Sequence, residues 1–265
     1  MSDDLKTADA IGFSRLLEIV RELRVRCPWD REQTLQGLSK HLIEEAYEAA
    51  NEIERDDSPA LADELGDLLA QTLFASVIAE ETRRFRVIEM IAGAADKLVR
   101  RHPHVYGDAK AESVGEVLEN WSRIKQEERR RAGKTSALDG VARALPALMR
   151  AEKLGARARQ AGMDWPDIGA VLAKVREELE EAEAALARGD RDAVVEELGD
   201  MMLALANAPR FVDQSAEETL RRACDKFIAR FAAVERLIAA RGLDLKRLAP
   251  AEIESLWQEA KRLAP

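Results

Sequence analysis

Two sets of acidic residues recur in this chain at spacings that place carboxylates on shared helical faces. The sets are Glu45, Glu48, Glu64 and Asp67, and then Glu178, Glu181, Glu197 and Asp200. Each member of the second set follows its counterpart by 133 positions. Residues three apart on a helix lie about one turn apart on one face. Each set would therefore bring four carboxylates together if its two helices were antiparallel.

Four converging carboxylates repel one another strongly unless a cation neutralises them. All-oxygen ligation suits Mg²⁺, with Mn²⁺ as the alternative, and does not suit zinc or copper. A di-iron site needs Glu-x-x-His pairs, but the histidines are His41, His102 and His104, so the second set has none. A single Glu-x-x-Glu motif usually lies on a solvent-exposed helix face. The recurrence of the whole acidic set at one offset is what favours a metal site here.

One glycine interrupts each acidic helix, Gly66 in the first copy and Gly199 in the second. Glycine costs about 1 kcal/mol of helix propensity relative to alanine. The two glycines therefore predict that a neighbouring helix or a ligand packs closely against them.

A basic pair with a spacing of four follows each acidic set, first Lys97 and Arg101, then Lys226 and Arg230. Such pairs commonly form surface salt bridges, but their recurrence after a candidate metal cluster favours phosphate binding. Carboxylates, Mg²⁺ and a basic pair can together hold a polyphosphate and activate a water. A tryptophan closes each half, and Trp257 is either a core residue or a surface on which a base stacks.

The chain as a whole reads as successive amphipathic helices without a convincing strand. The order of elements in the first half returns in the second, and a linker separates the halves over 131–140. We predict an all-α fold of two tandem modules, 1–134 and 135–265. Each module would use four-helix-bundle-type packing completed by dimerisation, because a module of few helices with an acidic interior buries more surface by pairing.

Composition limits the partners of the chain. Its 265 residues carry a net charge of −9, which argues against nucleic acid, and no apolar segment is long enough to span a membrane. Two distant cysteines, Cys27 and Cys224, indicate a reducing compartment. The acidic N-terminus lacks the features of a signal peptide. These observations predict a cytoplasmic protein that binds nucleotides rather than nucleic acids or membranes.

The motifs resemble those of the MazG family of nucleoside triphosphate pyrophosphohydrolases, in its two-copy bacterial form. They cover nearly the whole chain in the expected order. Besides the acidic sets, the matching segments are Cys-Pro-Trp-Asp at 27–30, Arg-Arg-His-Pro-His-Val at 100–105, Ser-Ala-Leu-Asp at 136–139, Leu-Pro-Ala-Leu-Met-Arg-Ala at 145–151 and Lys-Phe-x-x-Arg-Phe at 226–231.

The resemblance implies helical modules that dimerise and a Mg²⁺-dependent cleavage of ATP and other NTPs or dNTPs into NMP and pyrophosphate. It implies that the C-terminal copy is the active one. The implied metal ligands are Glu178, Glu181, Glu197 and Asp200. The implied nucleotide contacts are Lys174, Glu177, Glu178, Glu196, Asp200, Lys226, Arg230 and Trp257. A cluster carboxylate, Glu177 or Glu178, is the candidate general base.

The second copy carries one further polar residue that the first lacks. Asn207 lies on the same helical face as Asp200, two turns further on, whereas the first copy has Phe74 at that place. We therefore add Asn207 to the nucleotide-binding residues. The first copy keeps its carboxylates together with Lys97 and Arg101, and we consider it as a second site.

Two other functions fit the same residues. The chain could be a non-catalytic, acidic helical regulator that binds a basic partner surface. It could also be a housekeeping pyrophosphatase for one modified nucleotide, because the selectivity for a base depends on the shape of the pocket.

Overall fold

The computed structural model describes residues 3–55, 58–131 and 133–264, and the regular structure in these ranges is helical throughout. The chain divides into two compact units, Met1–Glu128 and Arg129–Pro265, each carrying one acidic set. The predicted all-α class with two tandem modules is thus confirmed for the described residues. The boundary between the units lies six residues before the junction proposed from the sequence.

The first unit is built around the antiparallel pair α3 and α4. Its helices are α1 (Asp3–Arg26), α2 (Pro28–Glu32), α3 (Leu35–Arg55), α4 (Ser58–Glu81), α5 (Val87–Arg101), α6 (Pro103–Tyr106) and α7 (Val114–Arg131). Helices α1, α3 and α5 all contact α4. Helix α4 is therefore the central element of the unit.

The core of the first unit joins α1, α4 and α5. Val20, Leu73, Val77 and Val87 are each at most 3% exposed and contact one another. Phe74 packs against this core together with side chains of α1. A fully buried aliphatic side chain contributes about 1.5–3 kcal/mol relative to an exposed one, so this core fixes α1 on α4.

The second unit repeats the pair of acidic helices. Its helices are α8 (Ala147–Gln160), α9 (Ile168–Arg188), α10 (Arg191–Leu205), α11 (Ala216–Arg241) and α12 (Pro250–Leu263), with short 3-10 turns at Pro209–Val212 and Leu245–Arg247. Helix α9 packs on α10, and α11 contacts both α8 and α12. The acidic set of this unit lies on α9 and α10.

A two-residue connection makes α9 and α10 antiparallel. Gly189 ends α9 with φ +73°, a left-handed conformation that favours glycine. Asp190 then caps α10, because its side chain accepts a hydrogen bond from the backbone N–H of Ala193 at 3.2 Å. Residues equally distant from this turn face one another, which brings Glu178 and Glu181 opposite Glu197 and Asp200.

The close packing predicted at Gly66 and Gly199 is wrong within the single chain. A Cβ atom added at either position would meet no other heavy atom within 4 Å. Both glycines are exposed. They therefore mark open surface on α4 and α10 rather than a close approach of another element of the same chain.

The acidic helices of the second unit also expose large apolar side chains. Leu186 of α9 and Val195 of α10 are each 70% exposed, and Met202 is 59% exposed. Within the described residues, no helix combines the length and the apolar character needed to cross a membrane. These side chains form part of the outer surface of an isolated second unit.

Candidate functional site

The second acidic set forms a compact cluster between α9 and α10. One carboxylate oxygen from each of Glu178, Glu197 and Asp200 lies within 4.8 Å of the other two. Glu178 is buried with 5% of its surface exposed, whereas Glu197 is half-buried and Asp200 is exposed. Three carboxylate oxygens at this separation can hold one hard divalent cation.

Glu181, the fourth member of the set, lies beside this cluster. Partial burial, the negative charge of Glu181 and the contact with Glu178 together raise the pKa of Glu197. Glu181 is also within hydrogen-bonding reach of Glu178. The structure thus gathers three of the four carboxylates closely and keeps the fourth near enough to add to their repulsion. A cation would relieve that repulsion.

Lys174 balances part of this negative charge from one turn before the cluster on α9. Its Nζ lies 2.7 Å from Glu177 Oε1 and 2.7 Å from Glu178 Oε1. These ion pairs raise the pKa of Lys174, and Lys174 in turn lowers the pKa of Glu178. Glu178 is therefore kept ionised, as a metal ligand must be.

The first acidic set gathers in a similar way on α3 and α4. Carboxylate oxygens of Glu45, Glu48 and Glu64 lie within 4.8 Å of one another. Burial raises the pKa of Glu45, and the nearby charge of Asp67 raises it further. His41 stands 133 positions before Lys174, and its Nδ1 is 3.5 Å from Glu44 Oε2. A histidine thus takes the place that Lys174 has in the second copy.

A cavity of about 480 Å³ opens beside the cluster of the second unit. Glu178, Asp200 and Lys174 form one part of its lining, and the rest is mostly apolar. The other lining residues are Leu138, Leu154, Gly155, Ala158, Met163, Asp164, Trp165, Leu203, Ala204 and Asn207. The second cluster therefore adjoins a pocket large enough for a small organic molecule.

Asn207 is held at the edge of this cavity by α8 and α10. It is 9% exposed, and its Nδ2 donates a hydrogen bond to the carbonyl oxygen of Leu203 at 2.9 Å. A Cβ atom at Gly155 would lie 1.9 Å from Asn207 Oδ1. A side chain at position 155 would displace the Asn207 amide from this place, so Gly155 of α8 is a helix glycine that another side chain closely approaches.

The linker between the modules supplies part of the cavity wall through Leu138. Arg129 Nη2 donates to the carbonyl oxygens of Ser136, Ala137 and Asp139, at 3.0 Å for Ser136 and 3.3 Å for Asp139. The Asp139 carboxylate also accepts the backbone N–H of Ser136 at 2.9 Å. The segment is therefore an ordered turn, and sequence reasoning did not predict its contribution to the site.

The basic pair of the second unit lies on α11, away from the cavity lining. Lys226 is exposed, and Arg230 Nε donates to the carbonyl oxygen of Ala264 at 3.0 Å. Trp257 packs against the α11–α12 core, and its ring centroid is 5.5 Å from that of Phe227. Glu196 is exposed on α10. Within the described part of one chain, these residues are not brought to the cavity.

The corresponding basic pair of the first unit is neutralised in part. Arg101 donates through Nη2 to Glu128 Oε2 at 2.6 Å, and Arg100 Nε donates to the other oxygen at 2.8 Å. Lys97, Arg101 and Trp121 line a smaller cavity of about 260 Å³. The carbonyl oxygen of Ala264 accepts from Arg230 where Glu128 accepts from Arg101, so among the described residues no carboxylate of the second copy takes the place of Glu128.

The pattern of the MazG nucleotide pyrophosphohydrolase domain matches the chain twice, over residues 33–106 and 168–234. The chain is 44% identical over 255 residues to the nucleoside triphosphate pyrophosphohydrolase of Escherichia coli K12, covering 94% of this chain and 97% of that protein. It is 37% identical over 253 residues to the Thermotoga maritima protein named nucleoside triphosphate pyrophosphohydrolase/pyrophosphatase MazG, covering 95% and 96%. The chain belongs to the MazG family.

The two MazG matches coincide with the two clusters. The first includes the acidic set on α3 and α4 together with Lys97 and Arg101, and the second includes the set on α9 and α10 together with Lys226 and Arg230. Each match thus spans one acidic set and the basic pair that follows it, and the two copies differ in the residues around each cluster.

Proposed function

We propose that the second unit hydrolyses nucleoside triphosphates, ATP and other NTPs or dNTPs, to a nucleoside monophosphate and pyrophosphate with Mg²⁺. The observation that carries this proposal is the carboxylate cluster of Glu178, Glu197 and Asp200 at the mouth of a cavity of about 480 Å³. MazG family membership and the names of the relatives support the reaction class.

The donor set of the cluster fits a hard cation. All the donors are carboxylate oxygens. Partial burial and then the negative charge of Glu181 raise the pKa of Glu197, and a positive ion would remove the repulsion between these charges. Glu178, Glu197 and Asp200 would hold Mg²⁺, with Glu181 as a further ligand. When bound, the ion polarises phosphate oxygens and lowers the pKa of a water.

Glu177 is our choice for the group that accepts the proton of the attacking water. Lys174 lowers the pKa of Glu178, which makes that carboxylate a better ligand than base. Glu177 shares the same lysine, but its side chain is 58% exposed and lies outside the cluster. It can therefore take a proton without giving up a bond to the ion.

Phosphate binding by Lys226 and Arg230 requires a second copy of the chain. Neither residue lines the cavity of its own unit, whereas Gly199 and exposed apolar residues of α9 and α10 offer a surface for another subunit. We propose a homodimer in which α11 and α12 of one subunit bring Lys226, Arg230 and Trp257 to the cluster of the other. Glu196, exposed on the same helix as the cluster, would face this composite site.

The second copy is proposed as the catalytic one, with residues 135–265 as its module. Where Asn207 opens a cavity in the second copy, Phe74 fills the core in the first. Arg101 is engaged by Glu128, whereas Arg230 lacks such a partner among the described residues. The first copy therefore keeps a cation site, but not the surroundings that would hold a nucleoside triphosphate.

The cytoplasm remains our expectation for where the protein acts. It rests on the acidic composition and on Cys27 and Cys224, which are both free thiols in the structure. Nucleoside triphosphates are the partners that this proposal requires.

The decisive measurement is pyrophosphate release from ATP by the purified chain with and without Mg²⁺. We expect activity that needs the ion and falls at least about 100-fold in Glu178→Ala and in Asp200→Ala, because losing even an outer partner of a metal ligand costs 10–100-fold. Glu183→Ala, which removes an exposed acid of α9 outside the cluster, serves as the matched control. Full activity in the two cluster variants would refute the assignment.

A further inference from the structure

The first unit has a cavity of its own, which is lined by α5 and α7 and not by its acidic helices. Its volume is about 260 Å³. Leu98 of α5 lines it together with Val117, Leu118 and Trp121 of α7. Leu98 is 60% exposed and Leu118 is 55% exposed. The cavity therefore presents an aromatic ring and aliphatic side chains that a small organic group would cover.

The charged part of this lining is entirely basic among the described residues. Lys97 and Arg101 lie one turn apart on α5, and His102 follows the helix. Lys125 adds a charge at the edge, since its Nζ lies 3.6 Å from the centroid of the Trp121 ring. A cleft lined by one sign of charge concentrates ligands of the opposite sign. An anion with an apolar, flat body matches both parts of the lining.

Lys97 and Arg101 keep donors for such an anion. Lys97 is exposed and forms no ion pair with any described residue. Arg101 donates to Glu128 Oε2 through Nε and Nη2, at 3.1 and 2.6 Å, which leaves Nη1 for another acceptor. Lysine and arginine bind phosphate oxygens through charge-assisted hydrogen bonds. A phosphate group on these two residues would compete in part with Glu128.

His102 has one ring nitrogen engaged and one remaining. Its Nδ1 lies 2.7 Å from the carbonyl oxygen of Leu98, and a carbonyl accepts but never donates, so Nδ1 carries the proton. In the neutral ring, Nε2 is then a hydrogen-bond acceptor, and it forms no hydrogen bond with any described residue. Nε2 can accept a hydroxyl of a ligand.

The second copy shows what closes such a space. Counted from the basic pairs, Leu98 corresponds to Phe227, whose ring centroid lies 5.5 Å from that of Trp257. The tryptophan of the second copy thus has an aromatic neighbour, whereas Trp121 has the smaller Leu98 beside it in the cavity lining. A phenylalanine at position 98 would take up part of the cavity.

We propose that this cavity binds a nucleoside monophosphate, with its phosphate on Lys97 and Arg101 and its base on the face of Trp121 opposite to Lys125. Stacking on an aromatic ring suits any base. The cavity of about 260 Å³ is smaller than the one of about 480 Å³ in the second unit. No acid among its described lining residues can hold the Mg²⁺ that accompanies a triphosphate.

This site binds and does not hydrolyse, because a monophosphate has no bond between α and β phosphates. The inference does not rest on the proposed hydrolysis, since a chain that releases no pyrophosphate can still bind a nucleoside monophosphate here. A chain that is active but fails the binding test below refutes the site alone.

Fluorescence of Trp121 tests the location of the ligand. The chain has four tryptophans, and the other three, Trp29, Trp165 and Trp257, are changed to phenylalanine. We expect AMP to quench Trp121 saturably in EDTA, which removes the cations that the carboxylate clusters need. Adenosine and inorganic phosphate should each displace AMP at least about tenfold less effectively, because each lacks one of the two anchors. A folded variant without quenching, or inorganic phosphate that competes as well as AMP, would overturn the proposal.

Calorimetry on the chain with all its tryptophans tests the phosphate contact. Lys97→Ala should weaken AMP binding in EDTA by about tenfold, the loss of one charge-assisted hydrogen bond. Lys110→Ala, which removes an exposed lysine outside the cavity lining, is the matched control and should bind as the unmodified chain does. Equal affinities of the two variants would refute the role of Lys97.

Two further variants should move the affinity in opposite directions. Leu98→Phe should weaken AMP binding without removing any charge, because the larger ring takes up space beside Trp121. Glu128→Gln should tighten it by a few fold, because Arg101 loses a competing carboxylate. Circular dichroism confirms that both variants are folded. An unchanged affinity in folded Leu98→Phe would show that AMP does not enter the cavity, and one in folded Glu128→Gln that Arg101 does not bind its phosphate.

Discussion

Lys174 has two partners and therefore two effects on the acidic cluster. Its ammonium group holds Glu177 and Glu178 at 2.7 Å each, which keeps Glu178 ionised when no cation is bound. The same positive charge repels an incoming Mg²⁺. Lys174 thus keeps a metal ligand ionised and at the same time opposes the binding of the ion. A mutation of Lys174 can separate these two effects.

We expect Lys174→Met to bind Mg²⁺ more tightly than the unmodified chain in the absence of nucleotide. Removing one positive charge a few ångströms from the ion should lower the Kd by about tenfold. At the same time, kcat/KM should fall, because the lysine also interacts with the carboxylate proposed as the base. Calorimetric titration with Mg²⁺ measures the first effect, and Lys153→Met on α8 is the control. Weaker binding of Mg²⁺ would contradict this view of Lys174.

Residue types and spacing in the sequence were enough to predict the clusters but not the pocket. Glu178, Glu197 and Asp200 could be paired because helical spacing and the 133-residue repeat are local properties of the chain. The contact of Gly155 with Asn207 joins positions 52 residues apart, and no local pattern marks it. Among the described residues of the single chain, no other element packs against Gly199, and a helical glycine does not by itself reveal which of its faces is covered.

At the scale of elements, the two copies differ in how the last helix of each unit contacts the helix that carries the basic pair. Helix α7 is joined to α5 by Glu128, which binds both Arg100 and Arg101. In the second unit, the corresponding link between α12 and α11 is a hydrogen bond from Arg230 to a backbone carbonyl. A carboxylate therefore engages Arg101 in the first copy, whereas among the described residues none engages Arg230, and α11 is tied to α12 by Arg241 and Glu259 instead.

Glu128→Gln should destabilise the first unit by about 1 kcal/mol at pH 7, the upper range for a partly exposed ion pair. The hydrogen bond from Arg101, aided by Arg100, lowers the pKa of Glu128 in the folded state. Its stabilisation is therefore complete above the unfolded pKa of about 4.3 and is lost as pH falls through the lower, folded pKa. Urea unfolding from pH 7 to pH 3 measures this, with the exposed Glu119→Gln as control. A difference that does not shrink in acid would contradict it.

Helical spacing predicted the elements that carry the acidic sets and the basic pairs, but α1, α2, α6 and α8 were not predicted. The acidic sets lie on α3, α4, α9 and α10, and the basic pairs lie on α5 and α11, so all of them are on helices as their spacing predicted. Helix α1 was missed because its acidic start was read as a polar terminus, although Phe13, Leu16, Leu17 and Val20 have helical spacing. Helix α8 lacks so clear an apolar stripe, and its role in lining the cavity depends on tertiary packing.

At the scale of the whole molecule, the acidic cluster of the second unit lies on α9 and α10, whereas its basic pair lies on α11. One chain provides a cluster and a cavity, while Lys226 and Arg230 do not line that cavity. If the proposed dimer joins them, every site combines acids of one subunit with basic residues of the other. A mixed dimer of one variant that lacks an acid and one that lacks a basic residue would then contain one intact site.

We expect Lys226→Ala and Asp200→Ala to be inactive alone and to regain activity when refolded together. Random pairing makes half of the dimers mixed, and each mixed dimer has one intact site of two, which gives about a quarter of the unmodified activity. Pyrophosphate release measures this recovery, and each variant refolded by itself is the control. A mixture that remains inactive although sedimentation shows mixed dimers would exclude the shared site.

The guanidinium of Arg129 has a consequence for anyone who wishes to isolate the C-terminal half. A fragment cut at the start of the module suggested by sequence, residue 135, would discard this side chain while retaining the three carbonyls that it binds. The turn that carries Leu138 would then lose the hydrogen bonds from Arg129, and this part of the cavity wall would be less well fixed. A fragment that begins before residue 129 keeps these hydrogen bonds. The linker between the two modules is therefore structurally part of the C-terminal one.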